Sequence, residues 1–177
     1  MKKKFVDSIL PFQVDSRNLR GRFACVEKVT SDTLKNHHFP DEVCALLIEA
    51  LLLTILTGEM IKIRWRLSLQ IRGSGSIKLL ATDYYAPREG GKPARVRAYA
   101  DFDKDSKLLN LESGLFAITI DQGKKMEPYQ GITPIAGGQS PTCNRSAALV
   151  GRCTFAVGDL IWKIPLPDLG KWGALWK

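Results

Sequence analysis

Two periods of apolar residues organise the chain. Across residues 41–60 (DEVCALLIEALLLTILTGEM) apolar side chains fall on nearly every helical face, and from Val43 to Leu56 only Cys44, Glu49 and Thr54 interrupt the aliphatic run. A helix that is apolar all round has to be covered all round. The stretch therefore predicts a core helix, with the rest of the chain wrapped around it. Pro40 suits the first helical turn, Asp41 and Glu42 set negative charge at the positive end of the helix dipole, and Gly58 reads as the stop. A bilayer span needs about 20 apolar residues; this run is shorter and carries Glu49, which favours a core helix over a membrane anchor.

Past Gly58 the period falls to two. Ile61, Ile63, Trp65, Leu67, Leu69 and Ile71 alternate with Lys62, Arg64, Arg66, Ser68, Gln70 and Arg72, which predicts a strand with one apolar and one cationic face. Trp65 falls on the apolar side of that pattern. Residues 73–76 (GSGS) predict a turn and 77–84 the returning strand of an antiparallel hairpin. Residues 86–94 (APREGGKPA) read as a loop. Val96, Ala98, Ala100 and Phe102 then alternate with Arg95, Arg97 and Tyr99 in a third strand, residues 115–121 are apolar enough for an interior strand, 123–127 turn the chain, and 129–135 form the last clear strand. Upstream, residues 5–14 look extended, with Pro11 favouring an edge. Residues 17–22 read as a turn into a strand over 23–29, and Thr30, Ser31 and Asp32 as caps for a short helix ending near His37 and His38. The fold class is α+β: a largely antiparallel central sheet packed against a buried hydrophobic helix. Gly137 and Gly138 mark a change of character, and residues 139–177, with Trp162, Trp172 and Trp176, follow no clean period.

Composition adds little to this picture until charge is mapped. The 177 residues suffice for one domain and a short appendage, and 45 % hydrophobic with 25 % charged content is ordinary for a globular protein. The net charge is +8, and residues 60–100 hold nine basic groups against Asp83 and Glu89, so this stretch carries +7 of it. An acidic partner is one implication. The basic start MKKKFVDSILPF is broken by Asp7 and Pro11 short of signal-peptide length, so a reducing, cytoplasmic setting is expected. Cys25, Cys44, Cys143 and Cys153 include no C-x-C or C-x-x-C pair and read as free thiols. Adjacent His37 and His38 point about 100° apart on a helix and cannot readily grip one metal.

A search for chemistry leaves no catalytic, cofactor-binding or metal-binding residue to name. Gly73 and Gly75 begin a G-x-G that Lys78 ends, and Gly90, Gly91 and Lys92 resemble the end of a phosphate loop, but Ala86 and Pro93 stand where its glycine and hydroxyl residue belong. Asp121, beside Gln122 and Gly123, reads as a turn-capping residue sooner than a catalytic one. Asn144, Arg145 and Ser146 form a glycosylation triplet without meaning in an unsecreted protein. The face of Arg64, Arg66, Arg95 and Arg97 could neutralise phosphates, with Tyr99 and Tyr84 or Tyr85 to stack bases; a solvated strand face accounts for it equally well.

Residues 5–138 resemble the N-terminal domain of the heat shock protein 33 (HslO) family, the redox-regulated 33 kDa chaperonins. The resemblance is carried by FQV at 12–14, RGR at 20–22, NHHFP at 36–40, EALLLT at 49–54, LQIRGSG at 69–75, RAYADFD at 97–103, GLFAITIDQG at 114–123 and YQGI at 129–132. It implies a cytoplasmic, ATP-independent holdase that binds unfolded clients, and a C-terminal module whose four cysteines hold zinc until oxidation releases it. Here the chain departs from the family. The C-x-C and C-x-x-C ligands are absent, and Cys143 and Cys153 have the wrong spacing to replace them. Trp65 replaces a favoured glycine, Ser76 a proline and Pro128 an arginine, while RCTFAVGD at 152–159 resembles a later family strand only faintly.

The expectation is a core domain over residues 1–138 and an atypical Trp-rich tail over 139–177, for which a truncated or frameshifted product is one hypothesis. The core would act as a holdase without its zinc and redox switch, with no cofactor and no enzymatic activity. A nucleic-acid-binding module using the basic face and a non-functional gene product are the alternatives. Unpaired sheet edges leave a homodimer open.

Overall fold

The structure, a computed structural model, describes residues 7–135 apart from positions 18, 62, 89, 107, 108 and 125, together with two strands further on. Strands β1 (Ser8–Val14) and β2 (Leu19–Cys25) form an antiparallel ribbon joined by a 3-10 turn, Asp15–Arg17. Helix α1 (Lys28–Leu34) and helix α2 (Asp41–Ile61) follow. Strands β3 (Arg66–Gly73), β4 (Ile77–Tyr85), β5 (Arg95–Phe102), β6 (Gly114–Asp121) and β7 (Tyr129–Ile135) make one antiparallel sheet in the order β5-β4-β3-β6-β7. Strands β8 (Arg152–Val157) and β9 (Leu160–Pro165) pair as a separate hairpin in a stretch whose sequence carries no clean period. Residues 136–151 and 166–177, with Gly137, Gly138, Cys143, the Asn144 triplet, Trp172 and Trp176, lie outside the described residues.

Helix α2 lies across β4, β5 and β3 and also meets β2. Val43, Leu47 and Leu51, spaced four apart, have no exposed surface, and Ala50, Leu53, Ile55 and Leu56 are buried with them. Against them stand Leu67, Leu69 and Ile71 of β3, Leu80, Thr82 and Tyr84 of β4, and Ala98 and Ala100 of β5. At 21 residues α2 is long enough and apolar enough to cross a bilayer. The length argument against a span therefore fails, and burial against the sheet is what makes α2 a core helix.

Two polar groups lie within this contact. The Thr54 hydroxyl donates to the Ala50 carbonyl at 2.7 Å and meets the Thr82 hydroxyl at 2.6 Å, so a buried pair joins helix to sheet with its hydrogen bonds made. Glu49 has no ion-pair partner among the described residues, and burial raises its carboxyl above its ordinary value. A carboxyl raised on folding adds stability that is complete below its unfolded pKa and is lost as pH rises through the folded one. Glu49→Gln should therefore raise the melting temperature at pH 7 by more than at pH 4. Circular dichroism melts at the two values check this, and equal shifts would refute it.

The helix boundaries differ from the predicted ones. Pro40 lies one place outside α2, where its carbonyl accepts the Cys44 N–H at 2.9 Å. Gly58 does not stop the helix; it lies inside the last turns, beneath the Tyr84 ring. Helix α1 begins at Lys28, ahead of the predicted caps. Thr30 and Thr33 bond back to the Val26 and Val29 carbonyls at 2.7 Å, and the free end of the helix is met by Asp7, whose carboxylate accepts the Val29 N–H at 3.0 Å. Strand β2 starts at Leu19, so RGR at 20–22 is strand, not turn. There the Phe12 ring lies over Gly21, where a Cβ would come within 2.2 Å of it, which is why FQV and RGR belong together.

The alternation over 61–72 proves to span three local structures. Ile61 closes α2, Ile63 is buried in the link, and strand begins only at Arg66. Trp65 is not on the apolar side: it is 42 % exposed, although its carbonyl still accepts the Ala86 N–H at 2.9 Å.

Candidate functional site

Helix α2 covers one face of the five-stranded sheet. Cross-strand register organises the opposite face into rows. One row runs Asp101, Leu79, Arg72, Leu115, Pro134; the next Tyr99, Ala81, Gln70, Ala117, Ile132. A third runs Arg97, Asp83, Ser68, Thr119, Gln130, and the last Arg95, Tyr85, Arg66, Asp121. Exposed apolar side chains thus fall in the first two rows, with Asp101, Arg72 and Gln70 among them, and the arginines concentrate in the last two. At the apolar end Tyr99 is 52 % exposed, Leu115 46 % and Ile132 58 %. Leu115 and Ile132 are diagonal neighbours on β6 and β7, and Tyr99 stands at the opposite edge on β5; exposed large apolar side chains that adjoin mark an interaction surface more often than a solvated one. A second exposed set, Leu10, Phe12 and Phe23, lies on one face of the β1–β2 ribbon, where Leu10 pairs with Phe23.

At the cationic end the guanidinium of Arg88 lies 4.6 Å from the Trp65 ring centre, and those of Arg95 and Arg97 each lie 5.4 Å from that of Tyr85. The predicted face of Arg64, Arg66, Arg95 and Arg97 is thus brought to one end of the sheet. Arg66 is its one member with an ion pair among the described residues, at 3.8 Å from Asp121. Sequence reasoning missed Arg88 and mis-sided Trp65. The loop that returns Arg88 does so because Gly90 and Gly91 take positive φ, which lets Arg88 and Lys92 pair across it.

The residues weighed for chemistry have structural work. Asp121 accepts the Gly123 N–H at 2.9 Å, as a turn cap does. Gly73 and Gly75 leave room for residues 110–111: a Cβ on Gly75 would meet Asn110 at 2.2 Å, and Asn110 holds the turn through the Ser76 and Ile77 N–H groups. His37 stacks on Phe39 at 4.7 Å. Tyr84 donates to Glu59, and burial, reinforced by that carboxylate and only partly offset by Arg22, raises its phenol above the ordinary value. Cys44 is held near the Phe39 carbonyl, with its thiol raised by burial and then by Asp41. Among the described residues no three His, Cys, Asp or Glu side chains are placed to share a metal. Side chains of Cys143 and Cys153 lie outside the described residues.

The family model described as "Hsp33 protein" matches residues 7–143. The chain belongs to the Hsp33 family. That is a chaperone family rather than an enzyme family. A 33 kDa chaperonin of Caulobacter vibrioides is 33 % identical over 189 aligned positions, covering 97 % of this chain and 58 % of that protein. A 33 kDa chaperonin of Proteus mirabilis is 29 % identical, covering 89 % and 54 %. The crystal structure of the 33 kDa chaperonin from Thermotoga maritima superimposes with a TM-score of 0.62 at 16 % identity, over 88 % of this chain and 57 % of that one, which shows the Hsp33 fold. The chain spans just over half the length of the curated relatives it matches.

Proposed function

We propose that the chain is an ATP-independent holdase that binds unfolded polypeptides through the apolar rows of its open sheet face. The observation that carries this reading is the exposure of Tyr99, Leu115 and Ile132 on the face that α2 leaves uncovered. Each Å² of apolar client surface buried there contributes roughly 25 cal/mol. Native clients have little such surface to offer, so binding shifts their equilibrium only through the unfolded form. Strands β5 and β7, the edges of this sheet, offer backbone groups for an extended client. Membership of a chaperone family supports the reading.

Cys25, Cys44, Cys143 and Cys153 lack the C-x-C and C-x-x-C spacing, so these four cysteines are not expected to hold zinc or to switch the activity of the residues present. Light scattering from a thermally unfolding client tests this. Leu115→Ser with Ile132→Ser should raise the concentration needed for half-suppression several-fold while the melting temperature stays put. Peroxide should change nothing, and metal analysis of the purified chain should find no stoichiometric zinc. Suppression only after oxidation, or full suppression by the double variant, would overturn the reading.

A further inference from the structure

We infer that the cationic end of the sheet is a binding site for single-stranded nucleic acid, separate from the apolar rows. Arg64, Arg88, Lys92, Arg95 and Arg97 are all exposed, and none has an ion pair among the described residues. Two described carboxylates stand at this end: Asp83, opposite Arg97 in the register, accepts the Ser68 hydroxyl, and Asp121 holds the Gly123 N–H and faces Arg66. Arg64, Arg66, Arg88, Lys92, Arg95 and Arg97 outnumber them, and the excess positive charge complements a polyanion.

Aromatic rings decide which polyanion. An acidic polypeptide asks only for cations. Here Trp65 is 42 % exposed beneath Arg88, and Tyr85 lies against both Arg95 and Arg97. Guanidinium groups stacked on rings are held in place, so less freedom is lost when they meet phosphates. Open rings and guanidinium planes between them can stack unpaired bases. A duplex hides its base faces and gains only the charge term, so single strands are favoured. The turn-out of Trp65 adds the second ring: on the apolar side, where strand alternation would place it, Tyr85 alone would stand among the arginines and Arg88 would have no ring beside it.

Fluorescence anisotropy of the full chain with a labelled oligouridine, measured over a range of salt, tests the inference. For single strands the logarithm of affinity falls with that of salt by about 0.7 for each phosphate neutralised, so four engaged cations predict a slope near −3. Arg95→Ala with Arg97→Ala should flatten the slope by about 1.4 on the same relation. Trp65→Ala should weaken binding roughly 5- to 150-fold, the range for losing one stacked base, and leave the salt slope unchanged. All three positions are exposed, and a melt checks that each variant stays folded. Leu115→Ser with Ile132→Ser should leave the oligonucleotide affinity alone. A duplex of equal length binding as tightly, or polyglutamate competing as well as oligouridine with Trp65→Ala silent, would overturn the inference.

Discussion

Leu51→Ala should lower the free energy of unfolding by about 2–5 kcal/mol, the range for emptying a buried leucine site. Leu52→Ala, one residue on, should lower it by less than half as much. The two leucines sit in the same EALLLT run and the sequence treats them alike. In the folded chain Leu51 has no exposed surface and faces the sheet with Val43 and Leu47, whereas Leu52 is only partly buried. The sheet on the other side of Leu51 is hydrogen-bonded on both edges of β3 and β4 and cannot collapse into the gap. Denaturant melts of both variants give the comparison directly. Equal losses would mean that α2 is covered on the Leu52 side as well.

Gly58→Ala is expected to destabilise, against the ordinary trend for helices. Inside a helix alanine is favoured over glycine by about 1 kcal/mol. Here the new Cβ would come within 2.5 Å of the Tyr84 ring. That ring is buried, and its hydroxyl is fixed by Glu59 of the same helix turn, so it cannot swing aside without losing a hydrogen bond. Overpacking of this kind costs about 1–3 kcal/mol. The cost should shrink when Tyr84→Leu removes the ring, so the double variant should lose less than the sum of the singles. A higher melting temperature for Gly58→Ala alone would show that the last turn of α2 has slack.

Much of the sheet was legible because its strands are one-sided and separated by strong turns. The hairpin of β3 and β4, the alternation of β5 and the apolar run of β6 follow from period two and from GSGS. The family was legible from short motifs in a fixed order, and the structure supplies physical reasons for some of them. FQV and RGR meet as Phe12 over Gly21, and GSG gives Asn110 its approach to the turn. The hairpin β8–β9 showed only as the faint likeness of RCTFAVGD to a family strand, where β8 lies, because a short two-stranded unit needs no long period.

Misreadings cluster where a residue's role depends on a distant partner. Gly58 looks like a stop because glycine ends helices; it is a landing for Tyr84, 26 positions on. The start of α1 looks like Thr30 to Asp32 because those residues cap; the group that meets the free end is Asp7, 22 positions back. Trp65 continues a clean alternation, but strand geometry had not begun at that point, so period two no longer governed which way the ring turned.

By itself the sequence determined the α+β class, a long apolar helix, the strands of the main sheet and the concentration of charge in residues 60–100. These depend on local period and composition, which neighbours along the chain express. Only the tertiary structure decided that the helix is buried against the sheet, that the arginines gather at one end of the open face, and that Trp65 and Arg88 meet there. Those are properties of packing and register, which align residues far apart in the chain whose order carries no trace of the pairing.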